Sequence, residues 1–306
     1  MGRVFVLGSI NCDLVIRAPY MPKSGETLSG GGFMINAGGK GANQAVACSK
    51  LGAETYMIGA VGDDPFGGIC YDSLQKYGCS CKFVEKLSDT STGVASIWVI
   101  DNDNRIVLDG GANMKLKKET VVGIIEEECT AGDVLVCQLE IEAAVVEAAM
   151  RRAKEKGMTT ILNPAPAAPL GKGILSATDI LVPNETEMEI LSGLPTDTTE
   201  NLIRASAKLT DGGVGEIFVT LGKKGSFYYK KGETATADIV PIKAVDTTAA
   251  GDTTIGALAE RIAGGHGVKE SMRYCAAASA LTVSRRGAQQ SIPCKEEVED
   301  FLKKIN

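Results

Sequence analysis

Short apolar runs of strand length recur along the chain, and stretches with helical spacing lie between them. RVFVLGS (3–9), ETYMIGAVG (54–62), DVLVCQLE (133–140), TTILNPAP (159–166), DILVPNETE (179–187) and EIFVTLG (216–222) each begin as a buried-strand pattern and end in polar or small residues. AVACSKLG (45–52) and FGGICYDSLQKYG (66–78) close helical patterns at a glycine, and AAVVEAAMRRAKEKG (143–157) repeats apolar positions at helical spacing. The alternation predicts a mostly parallel sheet with helices on both faces, an α/β three-layer sandwich.

Two segments break the alternation. GVASIWVIDNDNRIVLDGGAN (93–113) reads as two strands joined by a polar turn near Asn102 and Asp103. DLVIRAPYMPKSGETLSGGGFMI (13–35) reads as extended, turn-rich chain. We expect lid strands from about 13–36 and 93–112 to form a small second sheet over the strand ends of the first. No Pro/Ser-rich linker, low-complexity tract or clear repeat interrupts residues 1–306, so a single domain is expected.

Composition narrows the chemistry. Hydrophobic residues make up 44% and charged residues 23%, an ordinary globular balance. No apolar run approaches the roughly 20 residues that span a bilayer. The opening MGRVFVLGSINCD has no signal-peptide pattern, and Val6 breaks a myristoylation pattern, so a cytoplasmic chain without membrane partners is expected. A net charge of −6 without long basic runs argues against a nucleic-acid partner. Nine cysteines without a CxxC pair predict buried free thiols. The one histidine, His266 in GGHG, excludes multi-histidine zinc sites, and no GxSxG elbow accompanies it. Chemistry must run on carboxylates, backbone donors and bound ions.

Ligands of open α/β sheets bind beyond the carboxyl ends of the strands. Polar clusters fall there six times: NCD (11–13), QLE (138–140), NPAPA (163–167), PNETE (183–187), TLGKKG (220–225) and DTTAAGD (246–252). The last is the most informative. In VDTTAAGDTTIGA (245–257), the small residues Ala249, Ala250 and Gly251 leave backbone N–H groups open at a helix start, which favours an anion. Asp252 beside them suits the removal of a hydroxyl proton during phosphoryl transfer, although a capped helix with an acidic first turn reads the same way.

The other clusters each admit two readings. In AGGKGANQA (37–45), Gly39 and Gly41 flank Lys40 and let backbone approach a ligand, and Asn43 shares a helix face with Lys40. The spacing is not that of a Walker A loop, and no GxGxxG occurs. Asn184 and Glu187 suit Mg²⁺, often through water, or a capping box. Thr220 to Gly225 suits phosphates or a hairpin turn. SRRGAQQS (284–291) offers carbonyls to a cation or ends a helix.

Together these residues resemble the ribokinase family, the phosphofructokinase-B type sugar kinases. AGGKGANQA is similar to the first family pattern and DTTAAGD to the second, and the match runs in order from Val4 almost to the end of the chain. The resemblance implies ATP-dependent phosphorylation of D-ribose at its 5-hydroxyl. It makes Asp252 the general base and Ala249, Ala250 and Gly251 the anion hole. Asn11, Asp13, Gly39, Lys40, Gly41, Asn43, Glu140 and Asp252 would hold the sugar. Asn184, Thr220, Leu221, Gly222, Lys223, Lys224, Gly225 and Gly251 would contact ATP, with Ala276 beside the adenine. Glu187 would order Mg²⁺ through water. Asp246, Thr248, Thr282, Arg285, Gly287 and Ser291 would frame an activating K⁺, chiefly through backbone oxygens. The small sheet would be the family's β-clasp and imply a homodimer.

Three residues depart from the pattern. Ala249 stands where the family often has Gly, Thr254 where it often has Phe, and Ala276 where a larger residue is common. Deoxyribose, fructose or a keto-sugar acid remain alternative substrates. A nucleoside kinase, disfavoured by 5% aromatic content, and a non-catalytic sugar-binding module stand behind them.

Overall fold

A computed structural model of the chain describes residues 2–101 and 103–305, so Asn102, expected at the tip of a strand pair, lies outside the described residues. The strands are β1 (Val4–Leu7), β2 (Asn11–Arg17), β3 (Gly31–Gly38), β4 (Thr55–Gly62), β5 (Ser80–Leu87), β6 (Gly93–Ile100), β7 (Asp103–Asp109), β8 (Val134–Cys137), β9 (Thr159–Leu162), β10 (Ile180–Leu181), β11 (Glu216–Thr220), β12 (Ser226–Lys230) and β13 (Glu233–Ala237). The helices are α1 (Lys40–Lys50), α2 (Pro65–Lys76), α3 (Lys118–Glu128), α4 (Ala143–Glu155), α5 (Lys172–Ser176), α6 (Glu185–Ser192), α7 (Thr199–Asp211), α8 (Ala250–Ala263), α9 (Val268–Val283) and α10 (Lys295–Ile305).

The large sheet has nine strands in the order β13-β12-β11-β10-β9-β8-β1-β4-β5. It is parallel except for β12 and β13, which close one edge as antiparallel hairpins. Successive strand residues point to opposite faces, and β1 shows why three layers form. Val4 and Val6 join an apolar cluster with Val46 of α1, Leu258 of α8 and Cys275 of α9. Phe5 and Leu7 join a second cluster with Ile125 of α3 and Val146 and Met150 of α4. The expected layers are therefore present, and eight of the nine free cysteines are buried as small hydrophobes.

One strand is shorter than its apolar run. β10 stops at Leu181 because Pro183 has no N–H for the ladder, and Asn184 then caps α6. The segments that broke the alternation form a second sheet in the order β3-β2-β6-β7. Within it β2 and β6 pair in parallel, and the outer pairs are antiparallel. Its outer strands leave Phe33, Ile106, Val107 and Leu108 exposed.

Helices α1 and α8 pack against each other and share hydrogen bonds from Asn43 and Gln44 to Asp252. A Cβ added at Gly256 would stand 2.3 Å from the Ala47 Cβ and 2.9 Å from the Cys48 backbone N, so a side chain there forces the helices apart. We expect Gly256→Val to lower stability by about 1–3 kcal/mol. A urea titration should show a lower midpoint at an unchanged slope. An unmoved midpoint would mean that the helices can separate at no cost.

Candidate active site

From β1 the chain winds outward in one direction through β4 and β5, and later in the other through β8 to β11. The reversal leaves a crevice at the carboxyl ends of β1 and β8, the position at which open sheets bind ligands. The glycine-rich start of α1 lies directly on it. A Cβ at Gly41 would meet Gly8 C and Ser9 N at 2.6 Å, and Gly39 has φ 87°, so neither position tolerates a side chain.

This packing joins residues from three strand ends. Ser9 Oγ donates to Glu140 Oε2 at 2.6 Å, and the Lys40 N–H donates to the same oxygen at 3.2 Å. Asn11 is buried, and its Oδ1 accepts from Asn113 Nδ2 at 2.7 Å. Asn11 to Asp13 are the first residues of β2, so the lid strand expected from about Asp13 begins two residues earlier. Room for the Asn11 and Asp13 side chains comes from glycines. A Cβ at Gly93 would stand 2.4 Å from Asn11 Oδ1, and one at Gly38 would stand 2.3 Å from Asp13 Oδ2. Burial first, and then the charges of Glu140 and Asp252, together push the Asp13 carboxyl up to about 7.

A cleft of about 190 Å³ adjoins these residues and is lined by Lys40, Asn184, Glu187, Thr220, Asp252 and the 249–251 turn. Ala249 precedes α8 with φ 60°, a left-handed conformation that L side chains resist. The N–H groups of Ala249, Gly251 and Asp252 have no partner among the described residues, and that of Ala250 reaches Thr247 O at 3.3 Å. They form a small donor cluster at a helix N-terminus. Both oxygens of Asp252 accept amide hydrogens from α1: Oδ2 from Asn43 Nδ2 and Oδ1 from Gln44 Nε2, each at 3.0 Å.

Asn184 and Glu187 form a full capping box: Asn184 Oδ1 accepts from Glu187 N and Glu187 Oε2 from Asn184 N, each at 2.8 Å. Burial raises the Glu187 carboxyl; the Asn184 N–H and the Lys40 charge oppose this, and the Asp252 charge adds to it. Leu221 to Gly225 make the turn between β11 and β12, with Lys224 Nζ 2.8 Å from Glu185 Oε1. Thr220, the residue before this turn, lines the cleft, and residues 221–225 are outside its lining. Ala276 sits on α9, outside the cleft lining.

The residues expected around a monovalent cation are drawn together by Asp246. Its Oδ1 accepts from Thr248 N at 3.0 Å and Thr248 Oγ1 at 2.7 Å, and its Oδ2 accepts from Gly287 N at 3.0 Å. Burial works against its charge, but these bonds and the Arg286 charge hold Asp246 below its ordinary value. Thr282 Oγ1 donates within α9, Ser291 Oγ donates to Ala288 O, and the Arg285 guanidinium pairs with Glu297 at 2.6 Å. What those three residues have left for a cation is mainly backbone oxygen. His266 lies at the far end of α8 beside Glu270, with 2.8 Å between Nδ1 and Oε1.

Sequence reasoning passed over Ser9, Gln44, Asn113, Asn163 and Gln289. Gln44, Asn163 and Gln289 stand inside AGGKGANQA, NPAPA and SRRGAQQS, so residue type within a motif is the available signal. Asn113 is distant in sequence and gave none.

The family model of the pfkB family carbohydrate kinases matches residues 1–295. A ribokinase of Haemophilus influenzae is 41% identical over 298 residues, 97% of each chain. A deoxyribokinase of Salmonella typhi is 37% identical over 303 residues, 98% of each chain. The structure of Arabidopsis thaliana ribokinase complexed with ribose and ATP superposes with a TM-score of 0.91 at 35% identity, covering 99% of both chains.

The electrostatics of Asp13 give a pH test. The folded protein holds the Asp13 proton to about pH 7, whereas the unfolded chain releases it near the ordinary value of 3.8. Over that window folding takes up a proton, so this residue's contribution to stability falls as pH rises through about 7. Asp13→Asn should therefore raise the Tm, relative to the parent, more at pH 8 than at pH 5. An equal difference at both pH values would contradict the raised carboxyl.

Proposed function

The chain belongs to the pfkB family of carbohydrate kinases, and on that premise we propose that it transfers the terminal phosphoryl of ATP to the 5-hydroxyl of D-ribose. The observation that carries the reading is Asp252 itself. Its carboxylate is joined to Asn43 on the glycine-rich helix start and lies beside the open N–H cluster of its own helix. A base and an anion cradle thus share one turn, as hydroxyl phosphorylation requires.

Asn11, Asp13, Gly39, Lys40, Gly41, Asn43 and Glu140 hold the sugar, since polar groups rather than aromatic surface converge on the crevice. Asp252 takes the hydroxyl proton as the oxygen attacks phosphorus. The N–H groups of Ala249, Ala250 and Gly251 receive the charge on the transferred phosphoryl, and each such donor is worth on the order of 10²–10³ in rate. The rest of ATP lies along Asn184 and Thr220 to Gly225, with the adenine toward Ala276. These assignments follow the chemistry of the residues and the likeness to a ribokinase complexed with ribose and ATP.

Two ions fit the residues present. Glu187 spends Oε2 on its capping box and keeps a second oxygen for a water of hydrated Mg²⁺, which would supply positive charge among the phosphate oxygens. The oxygens of 246–248 and 282–291 suit K⁺, and Asp246 already ties those segments together through Gly287. We assign the enzyme to the cytoplasm, since its nine free thiols suit a reducing compartment. The exposed apolar residues of the second sheet, among them Phe33 and Ile106, support a homodimer formed through it. That sheet would then serve as the lid of the sugar site.

The deoxyribokinase relative makes 2-deoxyribose the main alternative substrate. A panel of kcat/KM values for ribose, 2-deoxyribose and fructose should place ribose first, and preference for deoxyribose would replace it. Asp252→Ala should lower ribose turnover by about 10²–10⁴-fold while calorimetric ribose affinity stays near the parent's. Retention of most of the turnover would remove Asp252 from the role of base. Exchange of K⁺ for tetramethylammonium should slow turnover, and an unchanged rate would dismiss the cation site.

A further inference from the structure

Asp252 is the third residue of α8. A carboxylate so placed ordinarily folds back onto the free N–H groups of the helix's first turn. No side chain caps them here, because Ala249 has no side-chain acceptor, and only the Ala250 N–H has a backbone partner, Thr247 O. An unrestrained Asp252 would compete for the donors that the phosphoryl needs. Instead its two oxygens are drawn toward α1 by Asn43 and Gln44.

The two amides differ. Asn43 belongs to the sugar site and is braced by Gln289, whose Nε2 donates to Asn43 Oδ1 at 3.2 Å. Gln44 is fully buried, and its bonds lie within the protein. Its amide nitrogen donates to Asp252 Oδ1 at 3.0 Å and to Asn163 Oδ1 at 3.2 Å, and its Oε1 accepts from Gln138 Nε2 at 2.6 Å. Asn163 Nδ2 donates to Val182 O at 3.0 Å, which turns Asn163 Oδ1 toward Gln44. A reversed Gln44 amide would set oxygen against two acceptors and NH₂ against the Gln138 NH₂. The donor toward Asp252 is therefore fixed by the ends of β8 and β9, whether or not sugar is bound.

We propose that Gln44 is a positioning residue for the catalytic base: it holds the Asp252 carboxylate toward the sugar and off the N-terminus of its own helix, so that the turn's N–H groups stay open to the phosphoryl. The inference rests on the reading of Asp252 as the base. Each carboxylate oxygen keeps a lone pair beyond its amide bond, so the clamp leaves an acceptor site for the sugar hydroxyl.

The test compares Gln44→Met with the parent, using D-ribose, MgATP and KCl across a pH series. We expect kcat to fall about 10- to 100-fold, the range of a hydrogen bond to a charged group, with the ribose KM changed less than about threefold. The acid limb of kcat should move up in pH, because a donor to the charged carboxylate is lost. A folded variant with parental kcat and an unmoved acid limb overturns the proposal. Should Gln44→Met melt early, Gln44→Glu keeps the shape and the bond from Gln138. Its activity should then fall with rising pH where the parent's stays level, as a second carboxylate ionises against Asp252, and a level profile overturns the proposal equally. A parent that phosphorylates 2-deoxyribose but not ribose overturns the sugar assignment instead, and the same comparison runs on that sugar.

Discussion

The close approach of α1 and α8 is the constraint on which the rest of the site depends. Gly256 lets α8 lie against Ala47 and Cys48 with no side chain between. One turn toward the N-terminus of each helix, that contact becomes polar, and Asp252 meets Asn43 and Gln44. Apolar packing thus sets the distance at which the amides and the carboxylate meet. The same α1 also fixes its first turn on the backbone after β1, through Gly41, so one helix orders both sides of the crevice.

Negative charge is the second organising fact. Asp13 feels the charges of Glu140 and Asp252, and Glu187 feels that of Asp252. Lys40 is the cation the chain brings into the cleft beside Glu187. Such crowding raises the free energy of the unliganded site, and hydroxyl donors of a sugar relieve it where an anionic sugar would not. In the proposed reading ATP is different, since its phosphates meet the helix start, where orphan N–H groups face outward. In that reading the two substrates are sorted by the sign of the potential each meets.

Much of this was legible in the chain. The apolar runs marked the parallel strands because a strand covered by helices on both faces is apolar at every position, as in β1 and β8, and the small residues of DTTAAGD marked an open helix start. The remainder was hidden for identifiable reasons. Adjacent helix residues point about 100° apart, so nothing local implied that Asn43 and Gln44 both reach one carboxylate. Only the crossing helix allows it. Asn11 to Asp13 read only as a polar cluster after β1, because β2 pairs with β6, about eighty residues away along the chain. Asn184 and Glu187 were ambiguous in principle, because a capping box and a metal-facing carboxylate use the same residues at the same spacing.

The register of β2 has a consequence of its own. The strand begins at Asn11, in the crevice, and runs without interruption to Arg17, paired along its length with β6 and on its other side with β3. The crevice and the exposed apolar strands are therefore parts of one hydrogen-bonded object. Whatever binds the outer face of that sheet and shifts it displaces Asn11 and Asp13 with it. By thermodynamic reciprocity, the factor by which such binding changes sugar affinity equals the factor by which sugar changes that binding. Through β2, any ligand of the outer face that shifted this sheet would be felt in the crevice, and sugar in the crevice would be felt outside to the same degree.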